Sequence, residues 1–120
     1  MKTEIIYQNN YSIVVIESQE NLITDPALAL DTLMNLRYQT NSCRIIIPKE
    51  AFAEEFFSLK TGLAGTFFQK MANYRFKLAI VGDFQKIQSP ALRDFIRECN
   101  RGQDFFFVPN RQEALLKLSQ

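Results

Sequence analysis

The chain has 120 residues, 47% of them apolar, with 14 basic and 13 acidic side chains for a net charge of +1, which suits one soluble globular domain spanning residues 1–120. It contains no histidine, so Ser-His-Asp catalysis, Cys-His catalysis and His-ligated metal sites are excluded. The balanced charge offers no field for nucleic acid or an anionic membrane, and two distant cysteines, Cys43 and Cys99, are too few for a structural zinc site.

The opening Met1-Lys2-Thr3-Glu4-Ile5-Ile6 is followed by polar Gln8, Asn9 and Asn10, which breaks any signal-peptide run. No apolar stretch approaches the roughly 20 residues that cross a bilayer, so the expectation is a cytoplasmic chain with reduced thiols. Residues 4–7 and 12–17 read as two strands joined at Asn9-Asn10, since Asn tolerates the positive φ of a tight hairpin. Ile13 to Ile16 are apolar without alternation, the habit of a strand covered on both faces.

Asp25-Pro26 opens a helix as N-cap and first helical residue; Ala29, Leu33 and Leu36 give it one apolar stripe, ending near Thr40-Asn41. Arg44 to Ile47 form a third strand, stopped by Pro48. From Lys49 to Tyr74 the pattern is helical but too long for one helix, with glycines at 62 and 65 that each cost about 1 kcal/mol in a helix interior. The spacing predicts a short helix over 50–58, a bend at 60–62 and a second helix to about Asn73. Leu78 to Val81 are a fourth strand, ended by Gly82-Asp83. Ser89-Pro90 repeats the cap signal for a helix carrying Leu92, Phe95, Ile96 and Cys99, with Gly102 suited to a left-handed exit. Phe105 to Val108 are a fifth strand. Asn110 and Glu113 form a capping-box-like pair for a last helix with Leu115, Leu116 and Leu118. Alternating strands and helices imply an α/β fold, mostly parallel, with a mixed opening hairpin.

This order, with its opening hairpin, resembles the STAS architecture of bacterial anti-sigma-factor antagonists. At the level of residues, Phe56 to Gly65, Lys77 to Phe84 and Ala91 to Gly102 resemble an uncharacterised bacterial domain-of-unknown-function family (domain of unknown function 4180). The STAS resemblance implies partner binding and a phosphorylatable Ser or Thr after the third strand. Here that corner reads Pro48-Lys49-Glu50-Ala51, without a hydroxyl, so the phospho-switch is not expected.

In open α/β sheets ligands bind beyond the carboxyl ends of the strands. The rim formed by Glu17-Ser18, Lys49, Glu50, Asp83, Asn110 and Arg111 is therefore a candidate small-molecule or anion site, although Asp83 and Asn110 also suit turns and caps. Thr61 to Gly65 fits a phosphate loop poorly, because it does not directly follow a strand. Arg93, Arg97 and Arg101 share a helix face, but Asp94 and Glu98 lie three residues ahead of Arg97 and Arg101 as ion-pair partners. Glu54 and Glu55 are adjacent and point apart, so they cannot share a substrate.

The doublets Phe56-Phe57 and Phe67-Phe68 spread rings wider than one core stripe requires. Either they fill two neighbouring elements or one ring of each is exposed. The second option makes Phe57, Gly62, Gly65 and Phe68 a candidate homodimer or partner interface. The expectation is a non-catalytic, self-associating regulatory or protein-interaction domain without cofactor; the alternative is a small-molecule or anion sensor built on the strand-end rim.

Overall fold

The structure is a computed structural model and describes residues 1–18 and 21–120. Asn9 and Asn10 both adopt positive φ, 53° and 69°, as a two-residue mirror-image turn requires. They join β1 (Lys2–Gln8) to β2 (Tyr11–Glu17). Asp25 caps α1 (Pro26–Thr40), its carboxylate accepting from the Ala27 and Leu28 amides at 2.7 and 3.3 Å. Asn41, at φ 56°, closes the helix. Then come β3 (Arg44–Pro48), α2 (Leu63–Asn73), β4 (Lys77–Val81), α3 (Pro90–Arg101), β5 (Phe105–Val108) and α4 (Arg111–Leu118).

Two expectations are corrected. Residues 50–58 do not form an α-helix; three short 3-10 turns occupy Lys49–Ala51, Glu54–Phe57 and Leu59–Thr61. The reason is a competing use of the backbone. Ile23 forms a parallel bridge with Phe52, donating to the Ala51 carbonyl at 2.8 Å and accepting from the Ala53 amide at 2.9 Å. Those groups are then lost to a helix. Gly102 follows α3 at φ −83°, so its exit is extended rather than left-handed.

The sheet order is β1-β2-β3-β4-β5, antiparallel in the hairpin and parallel thereafter. Each parallel strand lies next to the one before it. Right-handed crossovers therefore place α1, α2 and α3 on the same face. Alternate strand residues show the result. Ile45 and Ile47 join Leu33, Phe67 and Met71 in the larger core, while Ile46 turns the other way. On that second face α4 packs Ala114 and Leu118 against Ile13, Ile46, Ala79 and Phe106.

An eight-residue helix is marginal in isolation, and α4 is pinned at both ends. Arg111 pairs with Glu4 of β1. Arg44 donates to the Leu118 carbonyl at 3.1 Å while lying over the Tyr11 ring, and Gln8 and Asn9 reach Ser119 at 3.1 and 3.3 Å. Asn110 closes the first turn as the sequence implies, accepting from the Glu113 amide at 2.9 Å.

The β5 edge is covered by a side chain. The Asn100 amide accepts from the Phe107 N–H at 2.7 Å and donates to the Phe107 carbonyl at 3.2 Å. It thereby occupies the outward groups of Phe107, which a sixth strand would use.

Candidate functional site

The larger core is a continuous array of phenylalanine rings. Every phenylalanine except Phe76 and Phe106 takes part, with ring centroids 4.9 to 6.5 Å apart in tilted or edge-to-face pairs. Phe67 and Phe68 are both buried. Phe68, only 6% exposed, touches Phe56, Phe95, Phe105 and Phe107. The expectation that Phe68 presents a ring to a partner is thus corrected by packing: α3 and β5 cover it. Gly62 and Gly65 are exposed, and Gly62 takes φ 74° as the bend into α2.

Phe57 behaves differently. Its preceding neighbour Phe56 is fully buried, but Phe57 is only half-buried, set against Phe52, Phe56 and Phe84 at 5.3, 5.6 and 6.3 Å. Two open depressions meet at this ring. One, of about 630 Å³, is lined by Asn21, Lys49, Glu50, Phe52, Glu54 and Phe57. The other, of about 720 Å³, adds Glu55, Ser58, Leu59, Lys60, Ser89 and Ala91. Lys49 and Glu50 therefore share a surface with Phe57, which the sequence reading had assigned to a separate site.

The strand-end rim is split between both faces of the sheet. Lys49 sits at the end of β3 and donates from Nζ to the Asp83 carbonyl at 3.2 Å, with its ammonium 5.2 Å from the Phe84 ring. This contact needs close backbones: a Cβ on Gly82 would lie 2.7 Å from Lys49 Cβ. The Asp83 carboxylate accepts from the Gln85 amide at 3.0 Å, a local turn bond. Asp83 also lines a third depression, of about 410 Å³, with Phe84, Asn100 and Phe107. Asn110 is occupied as the α4 cap, and Arg111 points to β1. Lys49, Glu50 and Asp83 thus lie on one side of the rim, and Asn110 and Arg111 line none of these depressions.

Around Phe57 the charges are uneven. Lys49 and Lys60 face Glu50, Glu54 and Glu55. An apolar centre with a carboxylate-rich border suits a basic ligand better than an anion. Among the described residues, no group of three metal-ligating side chains converges. Phe52, Glu54 and Phe84 also belong to this surface; the sequence shows Glu54 as half of a carboxylate pair and Phe84 at a strand end, but not that they meet Phe57.

The remaining sequence features stay local. Arg97 pairs with Asp94 at 3.4 Å on the exposed face of α3. Burial, and secondarily Glu98, push the Cys99 thiol up to about 11. No helix among the described residues is long and apolar enough to cross a membrane.

Comparison with known proteins follows the same lines as the geometry. Residues 8–118 match the family described as Domain of unknown function (DUF4180). No curated protein matches the chain. Among solved structures, a protein described as an anti-sigma factor antagonist from Thermotoga maritima is similar at 10% identity and a TM-score of 0.56, over 99% of this chain and 94% of its own. An anti-sigma-factor antagonist (STAS) domain protein from Planctomyces limnophilus aligns at 13% identity and a TM-score of 0.41, over 98% of each chain. The first likeness establishes a STAS-like fold.

Proposed function

The chain belongs to the family Domain of unknown function (DUF4180), and on that premise we propose that it is a cytoplasmic, non-catalytic protein-interaction domain of regulatory type. Self-association is part of this reading. The observation that supports a docking role is the placement of Phe57: one half-exposed ring between two depressions, with Glu50, Glu54 and Glu55 at its border. Binding energy concentrates in an aromatic anchor ringed by polar groups. The carboxylate surplus sets the chemistry of the partner, a segment offering an apolar side chain flanked by Lys or Arg. The same surplus weighs against the anion-sensor alternative, because Lys49 already serves Asp83 and Phe84.

Photo-crosslinking tests the reading. A benzophenone side chain placed at residue 57 in cells is expected to trap a discrete partner, and Glu54→Lys with Glu55→Lys to weaken that capture at low salt. The control is the same side chain at Tyr38, 91% exposed on α1. Equal labelling at both positions would overturn the proposal. A thermal shift of several degrees with a small anionic metabolite would favour the sensor instead.

A further inference from the structure

We propose that the outer edge of β1 is the self-association surface, and that its occupant is β1 of a second copy, paired antiparallel about a two-fold axis at Ile5. The proposal rests on the self-association reading above and assigns it a place.

The orientation of the β1 backbone follows from its hairpin. Gln8 and Tyr11 close a two-residue turn and so exchange both main-chain bonds. Counting back by twos, Ile6, Glu4 and Lys2 also bond to β2. The N–H and C=O groups of Thr3, Ile5 and Tyr7 therefore point outward. β1 is the last strand on its side of the sheet, so among the described residues no strand meets these groups. The opposite edge is treated differently, with Asn100 occupying the Phe107 backbone.

The usual protections of an edge are lacking in β1. It has no proline, and its register against β2 is continuous from Lys2 to Gln8 without a bulge. Its charged residues, Lys2 and Glu4, direct only their backbone groups toward β2; their side chains lie on the face that α4 covers, where Glu4 pairs with Arg111. The three outward residues are uncharged, and two of them carry large apolar groups into solvent: Ile5 is 40% and Tyr7 78% exposed.

Charge and register select a second copy as the occupant. With the axis at Ile5, Thr3 faces the partner's Tyr7, Ile5 faces the partner's Ile5, and all three outward residues are used. Lys2 then faces the partner's Gln8. Glu4 faces the partner's Ile6, and its charge is already balanced by Arg111. Moving the axis to Glu4 sets Tyr7 opposite the partner's Met1, which lies outside β1, so one outward residue loses its strand partner. Moving it to Ile6 leaves Thr3 unpaired. The pairing uses seven residues a side, against roughly 20–30 in a standard interface, so the dimer is weak and concentration-dependent.

Sedimentation equilibrium of the full chain, from micromolar to near-millimolar, is expected to show mass rising toward twice 13.9 kDa. Ile5→Pro removes an outward N–H and no bond to β2, so it is expected to hold the chain monomeric with an unchanged circular dichroism spectrum. Tyr7→Lys is expected to do the same by charge, which keeps the test open if the proline variant misfolds. Ile5→Cys is expected to crosslink two copies under mild oxidation, because directly opposed residues sit about 5.5 Å apart at Cα, within disulfide range. Thr3→Cys is expected to stay uncrosslinked. A monomer at every concentration overturns both self-association and this surface. A dimer that persists in Tyr7→Lys, or forms without Ile5→Cys crosslinking, overturns the β1 assignment and leaves self-association standing. In that case the dimer lies elsewhere on the chain.

Discussion

Gly82→Ala probes the contact that joins the ends of β3 and β4. An alanine Cβ there would lie 2.7 Å from Lys49 Cβ, 3.0 Å from its Cδ and 3.3 Å from its Cγ. Carbon atoms pack comfortably at about 3.5–4.0 Å. The Lys49 side chain can swing its Cγ and Cδ away, but its Cβ is fixed to the backbone. Relief therefore requires the two strands to separate where Pro48 pairs with Val81, and the Lys49 bond to the Asp83 carbonyl to lengthen. Overpacking of this kind costs about 1–3 kcal/mol. For urea unfolding with a slope of about 1–3 kcal/mol/M, the midpoint should fall by on the order of 1 M with an unchanged slope. Lys49→Gly removes the opposing Cβ, so alanine at 82 should cost much less in that background. The double-mutant cycle isolates the contact from each residue's own effect. An unchanged midpoint for Gly82→Ala, or an equal cost in both backgrounds, would refute the close approach.

Three further outcomes follow from single contacts. Asn100→Ala leaves the Phe107 N–H and C=O without their side-chain partner; it should cost about 1–3 kcal/mol in chemical denaturation and raise light scattering at high concentration, as the β5 edge opens. Phe68→Ala should cost about 3–5 kcal/mol, since five rings close around it, whereas half-exposed Phe57→Ala should cost clearly less; equal losses in thermal melts would contradict the packing described. With its thiol raised to about 11 from 9.0, Cys99 should alkylate at pH 8 about 100-fold more slowly in the folded chain than in urea. The unfolded thiol ionises from about 9 and the folded one only from about 11, so this group lowers stability as pH rises between those values.

The strands were legible because β2, β3 and β4 are unbroken apolar runs, and the helix starts because Asp25-Pro26, Ser89-Pro90 and Asn110 with Glu113 are local signals that need no tertiary partner. Residues 49–61 were misread for the opposite reason. Their apolar spacing is helical, yet a distant residue, Ile23, claims the backbone of Ala51 and Ala53. Periodicity cannot report a bond across that separation. The candidate site shows the same limit. That Lys49 approaches Asp83 could be expected from adjacent strand ends. That Arg111 leaves the rim for Glu4 depends on which face α4 chooses, and its own residues do not encode that choice.

The simple strand order has one more consequence. Since β1 lies at one margin of the sheet and no residue lining the Phe57 depressions belongs to it, a dimer through β1 leaves both Phe57 surfaces free. Two copies would then hold two docking sites at fixed separation, and a partner carrying two basic segments would gain avidity without any new contact. For the segment identified by crosslinking at residue 57, a single copy should bind the wild-type chain and Ile5→Pro equally. A tandem of two copies, joined by a flexible linker long enough to span the dimer, should bind wild type about 100-fold more tightly than it binds Ile5→Pro, within the gain that bivalency allows. Isothermal titration separates the cases. If the single segment also loses affinity in Ile5→Pro, the two surfaces are coupled through the sheet, and the independence argued from the strand order is wrong.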